Sequence, residues 1–190
     1  MTAVSEPGGP ASSSPERLSA AAAVAAHPDL FPSHAPHGYA CPYCGLRDGD
    51  TSDPRNLCEP GDLVWADGEV LVLIASHGFE PRPGHPMVVP REHTESLYRM
   101  TDAQLAAVSR TVRDVAVAVK IAWGCEGVTI RQNNEPHGSQ HVWHYHDHVI
   151  PRWADDGWGR GPMRRPIVPP HRRAELALEL REALLRVRGG

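Results

Sequence analysis

Apolar runs of strand length fill residues 63 to 90, and apolar residues then recur at helical spacing from 101 to 123, so the chain predicts a small sheet with long helices. Leu63-Val64-Trp65-Ala66 and Val70-Leu71-Val72-Leu73-Ile74 flank Asp67-Gly68-Glu69, which reads as a hairpin. A third strand is predicted over 85–89, bounded by Gly84 and Pro90. Thr101 and Gln104 form a capping-box pattern ahead of Leu105, Val108, Val112, Val115 and Val119, and Gly124 stops the helix. Strands over 128–132 and 141–150 follow. A last helix over 172–187 carries Leu176, Leu180, Ala183 and Leu184 as a stripe for core or dimer packing. Five strands with helices grouped around them predict an α+β domain with a mostly antiparallel sheet, a long helix and a C-terminal helix.

The opening of the chain breaks this pattern. Ser, Pro, Gly and Ala dominate residues 1–37, which read as a disordered tail, with a short Ala-rich helix over 19–26 ended by His27-Pro28. A domain over 38–155 and an appended loop and helix over 156–190 complete the expected organisation. At 190 residues and 41% hydrophobic content the chain can bury one good core. The formal charge of −4 leaves no nucleic-acid footprint. Lys120 is the sole lysine among many arginines, a compositional bias that makes Arg abundance by itself uninformative about phosphate. No apolar run is long enough to span a membrane and no secretion signal is evident, so cytoplasmic residence is the expectation.

Candidate chemistry is concentrated in His144-Tyr145-His146-Asp147-His148. On a strand, side chains at i, i+2 and i+4 share a face and each pair of residues advances about 6.6 Å, which separates the outer histidines by about 13 Å. That row is too long to ligate one metal easily and long enough to span a phosphate chain. A surface histidine run or a chelating tract is the bland alternative. Cys41 and Cys44 form C-x-x-C, which in a reducing compartment points to zinc or redox chemistry. Redox use would place the pair at the start of a helix after a buried strand, whereas here it follows a Pro- and His-rich linker. Cys58 and Cys125 are unpaired by spacing.

Around the triple histidine stand Asn133-Asn134-Glu135-Pro136, Gly138-Ser139-Gln140-His141-Val142-Trp143 and Val149-Ile150-Pro151-Arg152, with Pro83-Gly84-His85-Pro86-Met87-Val88-Val89-Pro90 and Arg91-Glu92-His93 upstream. From about 39 to 155 the chain resembles the histidine triad family of nucleotide hydrolases and transferases, whose motif is His-φ-His-φ-His-φ-φ after Gly-Gln-x-Val. It departs from that pattern at Asp147, where an apolar residue is usual, at Ser139, where Gly is commoner, and in lacking an Asp for ribose within 74–79.

The resemblance implies the histidine-triad fold and a set of roles. His146 would attack phosphorus and form a covalent nucleotidyl intermediate, since a neutral imidazole is a competent nucleophile there. His148 would donate a hydrogen bond to the phosphate, and His144 would orient the site. Asn133, Gln140, Ser139 and His141 match positions that contact phosphate or leaving group. Gln140 has a bland alternative as a sheet-end cap, and His141 falls on the opposite face from the triad if alternation holds. Relatives with C-x-x-C imply a structural Zn2+ on Cys41, Cys44, His93 and His144. A homodimer and a small nucleotide substrate are implied too. The same intermediate would serve a nucleotidyltransferase or phosphorylase, and a non-catalytic nucleotide-binding module is a further alternative.

Three features stay open on sequence. Asp147 gives a look-alike of the metallo-β-lactamase motif His-x-His-x-Asp-His, one residue short, and strand alternation would turn it away from the histidines. Its partner on the buried side is then Arg131, unless a twisted strand exposes it. Arg152 reads equally as a phosphate ligand or a salt-bridged strand end. Trp153, Trp158 and the 160–165 segment read as a cover over substrate or as an exposed loop.

Overall fold

The computed structural model describes residues 19–82, 84–161 and 164–189. These divide into two units, the first ending at Pro32 and the second running from Ser33. The first carries α1 (Ala20–Ala26), capped by Ser19, whose hydroxyl accepts from Ala22 N at 3.2 Å. The earlier part of the expected tail, residues 1–18, lies outside the described residues.

The second unit holds α2 (Pro42–Asp48), β1 (Leu63–Ala66), β2 (Val70–Ile74), β3 (Pro86–Pro90), α3 (Asp102–Trp123), β4 (Gly127–Gln132), β5 (Asp147–Arg152) and α4 (Pro170–Arg188). The five strands form one antiparallel sheet in the order β1-β2-β3-β5-β4. This is the expected α+β architecture. Among the described residues no helix is long and apolar enough to cross a membrane.

Helix α3 begins and ends where its sequence dictates. Thr101 Oγ1 accepts from Gln104 N, Gln104 Oε1 accepts from Thr101 N at 2.9 Å, and Gly124 closes the helix in the left-handed region at φ 62°. α3 and α4 cover one face of the sheet, burying Val64, Val70, Val72, Val88 and Val149 against Val108, Val115, Leu180 and Leu184. The opposite face carries Leu71, Leu73, Met87 and Val89 against Tyr43 and Leu46 of α2. β2 is therefore covered on both sides, which is why it reads as a continuous apolar run.

A buried ion pair anchors the start of α4. Arg173 Nε donates to Asp62 Oδ1 at 2.7 Å, and its other nitrogens donate to the carbonyls of Val168 at 2.7 Å and Leu57 at 2.8 Å. With every lobe of the guanidinium engaged, its desolvation is offset and the segment before α4 is pinned to the body. That segment runs along residues 76–80: Val168 N donates to Ser76 O at 2.8 Å, Gly78 N to Pro166 O at 3.0 Å and Glu80 N to Arg164 O at 3.3 Å.

Two expectations need correction. The strand predicted over 141–150 begins only at Asp147. The β3–β5 ladder stops after Met87↔His148 and Val88↔Asp147, because extending it would bring Pro90, which has no N–H, opposite Tyr145. Tyr145 N donates to Thr94 O at 2.6 Å instead. The C-x-x-C, read as following a linker rather than opening a helix, does open one. Cys41 is the N-cap of α2 and Pro42 its first residue.

Candidate functional site

Only His148 of the three histidines lies in a strand, yet all three rings stay on the α2 side of the sheet. Tyr43 of α2 packs against His144 at 5.8 Å and His146 at 5.4 Å between ring centroids, and His146 meets His148 edge-on at 4.9 Å. Asp147 and Tyr145 turn the other way, and Tyr145 belongs to the core under α3. The same-face expectation therefore holds although the regular strand is shorter than expected.

His146 is 7% exposed, and its Nδ1 lies 2.8 Å from the carbonyl of His144. A carbonyl can only accept, so Nδ1 carries the proton and Nε2 keeps its lone pair. Burial lowers the ring to about 4, against the opposing effect of the His144 carbonyl, which leaves it neutral near pH 7. His148 Nδ1 faces His85 Nε2 at 2.8 Å, and His85 is itself buried.

His146 and His148 line a cavity of about 440 Å³, together with Asn133, Ser139 and His141. Gln140 does not line it. Its amide is buried, with Oε1 accepting from Glu135 N at 2.8 Å and Nε2 donating to the carbonyls of Glu95 at 2.7 Å and Val142 at 3.0 Å. Gln140 thus shapes the 133–142 loop from inside. Asn133 Nδ2 donates to the carbonyl of Gly138 in the same loop. A Cβ at Gly138 would meet Asn134 O at 1.9 Å, so only glycine fits the turn. Ser139 follows in the left-handed region at φ 67°, which accounts physically for a preference for Gly there.

The second cluster lies on the other side of Tyr43. Cys41 Sγ, Cys44 Sγ, His93 Nδ1 and His144 Nδ1 all lie within 4.8 Å of one another. The sulfur to nitrogen separations are 3.3 Å for Cys41–His144, 3.4 Å for Cys44–His93 and 3.7 Å for Cys44–His144. Tetrahedral zinc with ordinary bond lengths puts such atoms about 3.6 Å apart. His144 Nε2 donates to Pro90 O at 3.0 Å, which leaves Nδ1 as the ligating nitrogen. The Cys44 thiol is lowered, first by its hydrogen bond with Cys41, whose own thiol is raised in exchange; the bonds to His144 and His93 add to the lowering and burial opposes it. A thiolate is what a metal needs. The four residues expected as ligands are brought together, and the set can hold zinc.

Other expectations resolve by geometry. Asp147 is not paired with Arg131, and no twist exposes it. Its Oδ2 accepts from Tyr145 Oη at 3.1 Å, and burial raises its carboxyl above the usual range. Arg152 is a salt-bridged strand end, donating to Asp156 at 2.7 Å and to Thr129 Oγ1 at 2.9 Å and stacking on Trp158 at 4.4 Å. Of the 160–165 segment, Arg165 reaches the cavity. Cys125 is a small buried residue just past α3, and burial pushes the Cys58 thiol up to about 12.

His85 and Arg131 are site residues that the motif reading did not single out. The signal for His85 was available, since it stands two residues before Met87 and strand alternation puts both on the cavity face. Arg131 is the Cα partner of His148 across β4 and β5, a register that the long 133–146 connection conceals.

Comparison with known proteins gives a consistent picture. The HIT domain model matches residues 59–155. The protein named hit of Bacillus subtilis is 30% identical over 120 residues, covering 63% of this chain and 76% of that protein. Adenosine 5'-monophosphoramidase hnt1 of Schizosaccharomyces pombe is 33% identical over 87 residues, covering 45% of this chain and 62% of that protein. The crystal structure of a zinc-bound histidine triad family protein from Mycobacterium smegmatis superposes with a TM-score of 0.62 at 24% identity, covering 79% of this chain and 96% of that one, a likeness of fold.

Proposed function

The chain belongs to the HIT domain family, and from that premise we propose that it hydrolyses a nucleotide phosphoanhydride or phosphoramidate through a covalent nucleotidyl intermediate on His146. The observation that carries this reading is the fixed tautomer of His146. Its Nδ1 is committed to the His144 carbonyl at 2.8 Å, and its Nε2 is the nitrogen left for the cavity. In the first step Nε2 bonds to phosphorus while the bond from phosphorus to the leaving group breaks, the electron pair departing with that group. In the second, water bonds to phosphorus, the N–P bond breaks and the proton passes to solvent. The cavity wall around Asn133, Ser139 and His141 supplies polar groups for the non-bridging oxygens.

Cys41, Cys44, His93 and His144 would hold a structural zinc, a reading supported by the mycobacterial structure, which is described as zinc-bound. The contribution of zinc when bound is to fix the His144 ring and backbone, and so the carbonyl that orients His146. In this reading the protein acts in the cytoplasm as a homodimer. The phosphoramidase activity named for the fission yeast relative supports the reaction class.

A turnover screen over nucleoside phosphoramidates and dinucleoside polyphosphates, comparing wild type with His146→Ala at matched zinc content, tests the reading. Product from wild type that disappears in the variant, with a nucleotidyl adduct in intact-protein mass spectra of quenched wild type, is the expected result. Equal turnover by both proteins would rule out covalent catalysis at His146. Nucleotide binding without turnover or adduct would favour a binding module.

A further inference from the structure

The cavity wall contains Arg55, Arg131, Arg165 and histidines 77, 141, 146 and 148, and among the described residues it contains no Asp or Glu. Arg55 is neutralised by Asp53 at 2.7 Å. Arg131 and Arg165 are not: among the described residues neither forms an ion pair, and the side-chain bond of Arg131 is from Nε to Asn133 Oδ1 at 3.0 Å. Arg131 is half-buried and Arg165 exposed, both line the cavity, and their like charges repel, a repulsion that an anion bound between them would relieve.

Both are held in place by structure. Arg131 stands directly opposite His148 in the β4–β5 register, on the same face of the sheet. Arg165 sits in the segment that runs antiparallel to residues 76–80, between Arg164, whose carbonyl accepts from Glu80 N, and Pro166, whose carbonyl accepts from Gly78 N. Its guanidinium lies 5.3 Å over the ring of Phe79, and that ring lies 5.3 Å from His85, the partner of His148. The positive field is felt at the site: after burial, the charge of Arg165 is among the causes that lower His77 and His148, and Arg131 adds to it at His148.

We propose that Arg131 and Arg165 form a binding site for the departing phosphate chain, which makes this protein selective for phosphoanhydrides with a polyanionic leaving group over phosphoramidates that release an amine. This rests on the reading of His146 as nucleophile. With a dinucleoside triphosphate, the bond from His146 Nε2 to the α-phosphorus forms as the P–O bond breaks, and a nucleoside diphosphate leaves with the electron pair on its terminal oxygen. Arg131, beside His148, and Arg165, at the rim, meet the charge on that group. Water then releases the nucleoside monophosphate from His146. An amine leaving group carries no such charge, and an arginine pair does nothing for it.

The test uses the full-length protein with diadenosine triphosphate and adenosine 5'-phosphoramidate as substrates and inorganic tripolyphosphate as a probe of binding. Arg131→Gln and Arg165→Gln are each expected to lower kcat/KM for the triphosphate by about ten- to a hundredfold, the size of a lost charge-assisted hydrogen bond. Their loss on the phosphoramidate should be at least about tenfold smaller, and Arg165→Lys should recover part of the effect. Equal losses on both substrates, or wild-type turnover of the phosphoramidate alone, overturn the proposal and leave His146 catalysis standing. If wild type turns over neither, the His146 reading fails. Calorimetry then decides the arginine site: tripolyphosphate binding that both variants abolish supports it, and no binding by wild type overturns it. Unchanged melting temperatures separate these outcomes from misfolding.

Discussion

His85 Nε2 and His148 Nδ1 lie 2.8 Å apart, and the other nitrogen of the buried His85, Nδ1, has no hydrogen-bond partner among the described residues. Two proton arrangements satisfy the short contact. If His148 Nδ1 donated, His85 would have to carry its proton on Nδ1, leaving an N–H buried without an acceptor. If His85 Nε2 donates, the unpaired atom is a lone pair, the less costly omission. His148 then carries its proton on Nε2, where it is a donor at the cavity. His85 thus fixes which nitrogen of His148 is left for the cavity, as the His144 carbonyl does for His146.

His85→Phe keeps the bulk of the ring and removes this constraint. It is expected to lower kcat by about ten- to a hundredfold, with KM little changed, because the effect falls on the orientation of His148. Steady-state kinetics at constant zinc content check this. A rise in KM alone would mean that His85 serves packing.

Acid stability follows from the same ring. Burial lowers His85 to about 3, below its unfolded value near 6.5. Between these values the unfolded chain binds the extra proton, so stability is fully present above about pH 6.5 and falls as the pH drops towards 3. The slope from one such group is about 1.4 kcal/mol per pH unit. Urea melts of wild type and His85→Phe across pH 7 to 4.5 should converge, wild type losing its advantage as the acid proton is taken up. Parallel curves would show that His85 titrates normally.

Much of this was legible in sequence because each helix boundary has a local chemical cause. Thr101, Gln104 and Gly124 delimit α3 by hydrogen bonds and backbone freedom within a few residues. The metal cluster was reached only through resemblance, since Cys41 and His144 are over a hundred positions apart and nothing local links them. The start of β5 was misread because apolar alternation continues through 141–146, while what ends the ladder is a missing N–H on another strand, at Pro90. The role of Gln140 was hidden for a similar reason: one of its partners, the Glu95 carbonyl, comes from a distant turn.

Asp147 is a carboxylate in a place suited to an apolar side chain. Burial raises its pKa above the unfolded 3.8, so the folded state disfavours its charge and loses stability as pH rises from about 4 towards the folded value. Asp147→Asn can still accept from Tyr145 Oη and carries no charge to desolvate. The variant should gain about 1 kcal/mol over wild type at pH 7 and little at pH 4, read as the shift in urea midpoint. A loss at pH 7 would imply that the ionised form is stabilised by something other than Tyr145.

Zinc, if it occupies the four-residue cluster, ties α2 to the loop that carries His93 and to the residue two before His146. Cys44→Ser removes the thiolate with the most partners in that cluster while leaving the cavity wall untouched. The variant is expected to purify with less than about one fifth of the wild-type zinc and to melt at least about 5 °C lower, since metal binding energy is folding energy here. A chelator should bring wild type down to the same melting temperature and leave the variant where it is. That non-additivity is the decisive reading: a chelator effect of equal size on both proteins would place the bound metal elsewhere, and an unchanged melting temperature with zinc lost would show that packing around Tyr43 alone holds α2 in place.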